Sequence, residues 1–194
     1  MAGNQVLIGS RVPSRATDAA QEIKQEVPSI SVDGTDNAEA SKLGDIVFIA
    51  VPMAGHRQTV HELTNDLYGM LVIDVTARLQ FQSGKAHAVQ IEEGSLALQT
   101  KSLLPNSMVA SALHHISAVD LMNPEKPLDC DVLVCGDADT TKSAAIDLIS
   151  QIPGIRAVDG GDLTYSKYIE DFTAMLVNIN QIHKGHSSVK LPGV

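Results

Sequence analysis

Positive charge is scarce in this chain: 14 lysines and arginines stand against 23 aspartates and glutamates, a formal net charge of -9. Such a surface repels a polyanionic backbone, which excludes broad nucleic-acid binding and leaves room only for a local basic spot that holds one phosphate. Long apolar runs are also missing. The longest, Ile46 to Met53 and Met70 to Ile73, fall far short of the roughly 20 residues a bilayer span needs, so no membrane segment is expected. The start, Met1 to Gln5, lacks a basic stretch followed by an apolar one, so secretion is not signalled and the cytosol is the default. There are 2 cysteines, Cys130 and Cys135, in a strand-like run that points them to opposite faces, which argues for reduced thiols rather than a disulfide. Nucleophile-elbow and phosphate-loop motifs are absent, as is any cysteine beside a positioned base, and this removes the motif basis for a hydrolase or kinase.

What is present suits a globular domain. Hydrophobic residues make up 44% and charged residues 19% of 194, enough to bury a core in one domain or one with a small appendage, at about 150 residues per domain. Short runs rich in Val and Ile fall at Gln5 to Gly9, Asp45 to Val51, Met70 to Val75, Met108 to Leu113, Val132 to Cys135 and Ile155 to Asp159, with a weaker one at Ile30 to Val32. They read as buried parallel strands. Helical spacing appears between them at Arg15 to Gln25, His56 to Leu67, Gly94 to Leu104 and Lys142 to Ile152, with Asp139 and Thr140 as caps of the last. Tyr165 to Ile182 reads as one long amphipathic helix, whose apolar face leads us to expect a homodimer. Lys184 to Val194 has little periodicity and reads as a tail or a partner-contacting arm. The alternation predicts α/β: a doubly wound parallel sheet of the Rossmann kind with a small carboxyl-terminal helical extension.

Three motifs carry chemistry. Val6-Leu7-Ile8-Gly9-Ser10-Arg11 is a strand ending in Ser-Arg, followed by Pro13, Ser14, Arg15 and a helix. In dinucleotide folds the end of the second strand meets the adenosine ribose, where an acid favours NAD and an arginine accepts the 2'-phosphate of NADP. The planar donor fork of arginine suits phosphate, so Ser10, Arg11 and Arg15 form a candidate NADP site; a solvated arginine after a strand is the plain alternative. Phe48-Ile49-Ala50-Val51-Pro52-Met53 is a strand that stops at a proline before a helix. Ligands in such folds lie beyond the carboxyl ends of strands, which makes Val51, Pro52 and Met53 candidates to line a cofactor, with ordinary turn chemistry as the alternative. Thr76 or Asp74 sits at the same edge of the next strand, where a turn cap is the alternative. Ser111-Ala112-Leu113-His114-His115-Ile116-Ser117-Ala118 sets small residues and two histidines at a strand end, where a flat ring approaches the backbone and His114 reaches it; a histidine satisfied by its neighbours is the alternative. His183 and His186 have a ligand-like spacing but no Cys or acidic pair beside them, so no metal is expected. Asp129, Asp131, Asp137 and Asp139 flank a strand and a helix start and read as structural.

Together these pieces resemble the coenzyme F420-dependent NADP reductases, a family related to the NADPH-binding domain of metalloreductases. The resemblance runs end to end: Val-Leu-Ile-Gly-Ser-Arg at 6 to 11, Ile-Ala-Val-Pro at 49 to 52, Val-Ile-Asp-Val-Thr at 72 to 76, Ser-Ala-Leu-His at 111 to 114 and Asp-Val-Leu-Val-Cys-Gly-Asp at 131 to 137. Its most specific part is Val-Cys-Gly-Asp, a helix, and then Asp-Gly-Gly-Asp-Leu from Asp159. The resemblance implies NADP in an amino-terminal dinucleotide fold, coenzyme F420 or a similar small-molecule acceptor in a cleft completed by the carboxyl-terminal part, and direct hydride transfer between the two rings. No side chain then acts as acid or base. It implies that Ser10, Arg11 and Arg15 hold the 2'-phosphate, that Val51, Pro52, Met53 and Ala118 line NADP, and that His114 borders the nicotinamide and the second ring.

One departure outweighs the others. Dinucleotide folds open with a strand and a G-x-G-x-x-G turn that sets the pyrophosphate on a helix amino terminus, and neither is found in this sequence. The chain starts at what should be the second strand, so the central strand and its helix are expected to be absent. The strands at Gln5 and Asp45 should then lack a common neighbour, or close up on each other. We expect residues 1–118 to form an incomplete dinucleotide-binding domain, 119–183 to continue the sheet into the long helix, and 184–194 to form the tail. Met1 is then an internal or misassigned start of an enzyme. A binding or redox-sensing module that kept the fold without turnover is the alternative from another class, and a reductase of another flavin or a metal is the alternative among enzymes. Asp162 and Ala174 stand where the family tends to have proline, and Ala77-Arg78 where Asn-Pro is common.

Overall fold

The computed structural model describes residues 3–123 and 128–194. Met1, on which the expectation of an internal start rests, and residues 124–127, inside the expected carboxyl-terminal part, lie outside them. The first strand, β1 (Val6–Ser10), leads into α1 (Pro13–Glu26). Pro13 starts that helix because its fixed φ is already helical and its missing N–H has no intrahelical partner to lose, while Val12 before it stays extended at φ -119. Buried Ala16 and Ala20 lay α1 on β2 (Val32–Asp36). The approach is so close that a Cβ on Gly34 would overlap the backbone of Ala16 and Thr17. β1 and β2 pair in parallel, from Val6 opposite Val32 to Ser10 opposite Asp36. The Asp36 carboxylate then accepts from Glu39 N at 2.9 Å and caps α2 (Asn37–Leu43), a helix absent from the sequence reading.

Next come β3 (Ile46–Ile49), α3 (Met53–Glu62) and β4 (Leu71–Asp74), followed by a hairpin of β5 (Leu79–Gln82) and β6 (Lys85–Ala88). Ser83 and Gly84 turn that hairpin at φ 50 and 77, the left-handed pair that tight hairpins require. α4 (Leu96–Leu103), β7 (Met108–Ser111), the one-turn α5 (Ala118–Leu121), β8 (Cys130–Gly136), α6 (Asp139–Ile149), β9 (Ile155–Asp162) and α7 (Ser166–His183) complete the chain. The main sheet runs β3-β4-β7-β8-β9. Its pairings are parallel except β7 with β8, which is antiparallel, so the expected doubly wound parallel sheet is present with one antiparallel pairing. Helices cover both faces: Leu71 and Ile73 of β4 join a core with Ala145 and Ile149 of α6, whereas Val72 between them joins Val60 of α3.

The sheet is broken where a central strand was expected to be absent. β1 pairs with β2 and β3 pairs with β4, and among the described residues neither β1 nor β3 has a partner on its other side. The two do not pair with each other. Val6, Ile46 and Phe48 stay 42%, 36% and 42% exposed along the break. α2 spans it, packing on β1 while its Ala38 joins the core of Ile49, Val60, Leu63 and Val72.

Three smaller expectations change. Ala138, not Asp139 or Thr140, precedes α6; Asp139 lies in its first turn, where its charge favours the dipole and pairs with Lys142 at 3.1 Å. The final segment is neither helix nor strand but is docked rather than loose. Asp131 N donates to Val189 O at 2.8 Å, and Arg156, paired with the buried Asp131 carboxylate at 2.6 Å, donates to Leu191 O at 2.9 Å. The Asp159-Gly160-Gly161 sequence proves to be a β-bulge, since Val134 faces Asp159 and Cys135 faces Gly161; Gly161 takes φ 96 and has no room for a Cβ beside the Tyr165 ring. Cys130 and Cys135 are both buried free thiols. No helix among the described residues is long and apolar enough to cross a membrane.

Candidate functional site

The carboxyl ends of β3 and β4 open onto a cleft of about 460 Å³ lined by Ala50, Val51, Pro52 and Met53 from one strand end and Val75, Thr76, Ala77 and Leu79 from the other. The wall is mostly apolar, as small-molecule and cofactor clefts usually are. Four sequence candidates, Val51, Pro52, Met53 and Thr76, therefore meet in one place. The Thr76 hydroxyl is already engaged: it donates to Ile49 O at 3.1 Å and ties the end of β4 to the end of β3. Its contribution to the cleft is shape.

His114 is not among the residues that line the cleft and lies near Asp74 and the Thr76 backbone. It follows Leu113, which is forced into the left-handed region at φ 66, and Thr173 of α7 donates to its carbonyl at 3.1 Å. The side chain is 6% exposed, and neither Nδ1 nor Nε2 has a partner. Burial drives its pKa down to about 4, with His115 adding to the fall, although the Asp74 carboxylate and the Thr76 backbone pull the other way. The ring is therefore neutral near pH 7; the Thr76 backbone is close enough to act on it, but neither nitrogen makes a hydrogen bond of ordinary geometry. A buried polar group in that state costs about 1 to 3 kcal/mol unless a ligand completes it. The neighbouring His115 is half satisfied: its Nε2 lies 3.0 Å from Asp131 O, while its Nδ1 has no partner. The sequence could not separate the two.

Ser10, Arg11 and Arg15 gather at the carboxyl end of β1. Arg11 reaches from there to the first turn of α3, where a Cβ on Gly55 would lie 3.5 Å from its Nη2. Among the described residues neither Arg11 nor Arg15 has a carboxylate partner, and both are exposed. Ser10 Oγ accepts from Val12 N at 3.2 Å. Ala118 is the exposed first residue of α5 and is not among the residues that line the cleft.

Below the cleft lies a buried charged layer that sequence reasoning largely missed. His56 of α3 bonds Asp74 Oδ2 at 2.8 Å and Gln99 Oε1 at 3.0 Å, while Thr100 donates to Asp74 at 2.6 Å and Thr76 N to its other oxygen at 2.9 Å. Asp74 had been read only as a residue of the strand edge. Arg78, fully buried, bonds Glu170 at 2.6 Å and Asp171 at 2.6 Å, and the second Glu170 oxygen accepts from Leu96 N at 2.8 Å at the start of α4. Burial raises the Glu170 carboxyl to about 7 against the pull of Arg78. The signal available was the departure at Ala77-Arg78: an arginine in an apolar context needs a carboxylate, and its partner sits 92 residues away on the long helix.

The fit to a dinucleotide is thus good at two ends. Exposed guanidinium groups at the end of β1 are suited to a phosphate, and an apolar crevice at the ends of β3 and β4 is suited to a ring; His114 is not among the residues that line that crevice. Between them, at the break in the sheet, no Gly-rich strand-to-helix turn is present among the described residues.

The comparisons with known proteins agree. The family described as NADP oxidoreductase, coenzyme F420-dependent, matches residues 1–78. The F420-dependent NADP reductase of Methanocaldococcus jannaschii is 32% identical over 187 residues, 93% of this chain and 84% of the relative. This chain belongs to the F420-dependent NADP reductase family. The Methanothermobacter marburgensis reductase of the same name is likewise 32% identical, over 93% of this chain and 83% of its own length. A solved protein from Arthrobacter sp. FB24 superposes at a TM-score of 0.83 over 97% of this chain and 89% of its own, at 20% identity, which shows the fold. Family membership and fold therefore bear out the resemblance drawn from the motifs, and the site residues are assigned below on geometry.

Proposed function

We propose that this chain passes a hydride between NADP(H) and coenzyme F420, as the names of its relatives describe for them. The observation that carries the reading is an apolar crevice at Val51, Pro52, Met53 and Thr76, with the buried, unpartnered imidazole of His114 near the Thr76 backbone at the end of the same strand. NADPH, when bound, supplies the hydride. The protein's part is to bind and to orient: Arg11, with Arg15 and Ser10, holds the 2'-phosphate, the crevice walls keep water from the ring, and the neutral His114 donates to or accepts from a ring substituent without moving a proton. We assign dinucleotide binding to residues 1–118 and the second ring's cleft to 119–183, where α7 supplies Thr173 against His114 O. The free thiols of Cys130 and Cys135 support a cytosolic setting. The outer face of α7, with Tyr168, Met175 and Ile182 at 64%, 57% and 74% exposed, supports a homodimer.

The test is hydride transfer from NADPH to coenzyme F420, followed by the loss of deazaflavin absorbance. Transfer that depends on both coenzymes and falls in His114→Ala is expected. NADPH binding with no transfer to any deazaflavin would overturn the acceptor, and no NADPH binding in any form of the chain would overturn the reading altogether.

A further inference from the structure

His56 and Asp74 are fully buried, and the transfer step uses neither. Gln99 Nε2 donates to Glu93 at 3.1 Å, so its amide oxygen is the atom that faces His56 Nδ1 at 3.0 Å. The reversed amide would set its oxygen against the Glu93 carboxylate. On the other side of the ring, His56 Nε2 lies 2.8 Å from Asp74 Oδ2, whose carboxylate also accepts from the Thr100 hydroxyl and from Thr76 N. The Thr100 hydroxyl also lies 3.2 Å from Nε2, but its one proton goes to Asp74 Oδ2 at the shorter 2.6 Å, so both nitrogens of this ring face oxygens left to accept. A neutral imidazole has one N–H and leaves one of those contacts as two facing lone pairs; the imidazolium satisfies both.

The pair also has a place in the architecture. His56 sits in the first turn of α3, which carries Met53 of the cleft and Gly55 beneath Arg11. Asp74 ends β4, and Val75, Thr76 and Ala77 of the opposite wall follow it. We propose that His56 is a positioning residue, held as an imidazolium between Gln99 and Asp74, and that this ion pair bolts together the two walls of the cofactor cleft.

The groups around it agree. Asp74 faces His56 from β4, Gln99 and Thr100 from α4, Glu93 through Gln99, and Glu170 from α7 adds its field, with Arg78 as that carboxylate's counter-charge; the neutral His114 lies near Asp74. Burial pulls the His56 pKa down, but the hydrogen bond and charge of Asp74 outweigh it and leave the value above 6.5. The same contacts hold the Asp74 carboxyl below its ordinary value despite its own burial.

This inference rests on the NADP reading for what the cleft holds, but its first measurement does not. Long-range proton–nitrogen NMR of the full chain at about pH 7.5 should show both His56 ring nitrogens protonated, a pH at which an ordinary histidine is mostly neutral. Asp74→Asn should turn the ring neutral and weaken NADPH binding at least about tenfold with helix content unchanged. Gln99→Glu made together with Glu93→Gln keeps an acceptor at Nδ1 without opposing two carboxylates and should keep both the charge and the affinity, whereas Gln99→Leu should lose both; this second pair carries the test if Asp74→Asn does not fold. A neutral His56 in the unaltered chain would overturn the proposal, as would unchanged affinity in a variant whose ring has become neutral. If the unaltered chain binds no NADPH, the NADP reading fails separately, and hydrogen exchange at Thr76 N decides the bolt: faster exchange in Gln99→Leu supports it, and unchanged exchange overturns it.

Discussion

Arg11 and His56 act at the residue scale through opposite uses of charge. Arg11 is exposed and lacks a carboxylate partner among the described residues, so its guanidinium is available to a phosphate without first breaking a bond. Arg11→Ala should raise the Kd for NADPH at least about tenfold, near 1.4 kcal/mol, and leave NADH nearly untouched. A titration calorimeter reads both, and equal NADPH affinity in the variant removes the phosphate assignment. His56 is buried, and its charge is linked to folding. Because its pKa is raised in the folded chain, the stabilisation it contributes is complete below 6.5 and is lost as pH rises through the folded value. Asp74, lowered from 3.8, contributes above that value and loses its share as pH falls through its folded one. Urea midpoints should therefore fall as pH rises above 6.5 through the folded value, and His56→Gln should flatten that limb. An alkaline limb identical in the variant would show that another group titrates there.

Among the elements, α7 is fixed by charge as much as by packing. Arg78, between the wall residues Ala77 and Leu79, holds Glu170 and Asp171 of that helix, and Glu170 in turn receives the first N–H of α4. Removing one partner of such a buried pair leaves the other charge uncompensated, at about 3 to 5 kcal/mol. Arg78→Leu should lower stability by that amount, and adding Glu170→Gln should recover part of it; strict additivity in the double mutant would mean that the two side chains do not act as a pair. The elements most legible in the sequence were those with strong periodicity, such as β4, β8, α6 and α7. The hairpin β5–β6 was missed because its turn is Ser-Gly and its strands read Leu-Gln-Phe-Gln and Lys-Ala-His-Ala, too polar for a buried run. α2 was missed because seven residues hold little amphipathic signal, and its start depends on the Asp36 cap. In the site, strand ends were legible because ligands gather there by topology. The His56 layer was not, because its members come from separate helices and a strand, with no spacing to join them.

The whole molecule turns on the break between β1 and β3. Its position was readable from the missing Gly-rich turn, but whether the two strands would close up was not, since that depends on how α2 holds them. They stay apart, each with one unpartnered side among the described residues, and Val6, Ile46 and Phe48 face solvent along the gap. A parallel strand of about five residues placed there would give ladder partners to both edges. Because the gap is open to water, each new ladder bond contributes only its net gain of about 0.5 to 1.5 kcal/mol, to which the covering of Val6, Ile46 and Phe48 adds; several such bonds are still a large share of a total stability of about 5 to 15 kcal/mol. The gap also lies between Arg11 and the crevice, where the pyrophosphate of a bound NADP would cross. A Gly-rich turn at the end of the added strand would present backbone N–H groups and a helix amino terminus to it. Joining a strand, Gly-rich turn and helix of about 20 to 30 residues ahead of the chain should therefore do two things at once. Hydrogen exchange at β1 and β3 should slow, and NADPH should bind at least about tenfold more tightly, near 1.4 kcal/mol. The two readouts separate stability from the cradle: slower exchange with unchanged affinity means that the strand docks but the pyrophosphate is held elsewhere. Unchanged exchange and unchanged affinity together would mean that the gap accepts no strand, and that the two ends of the site work without a cradle between them.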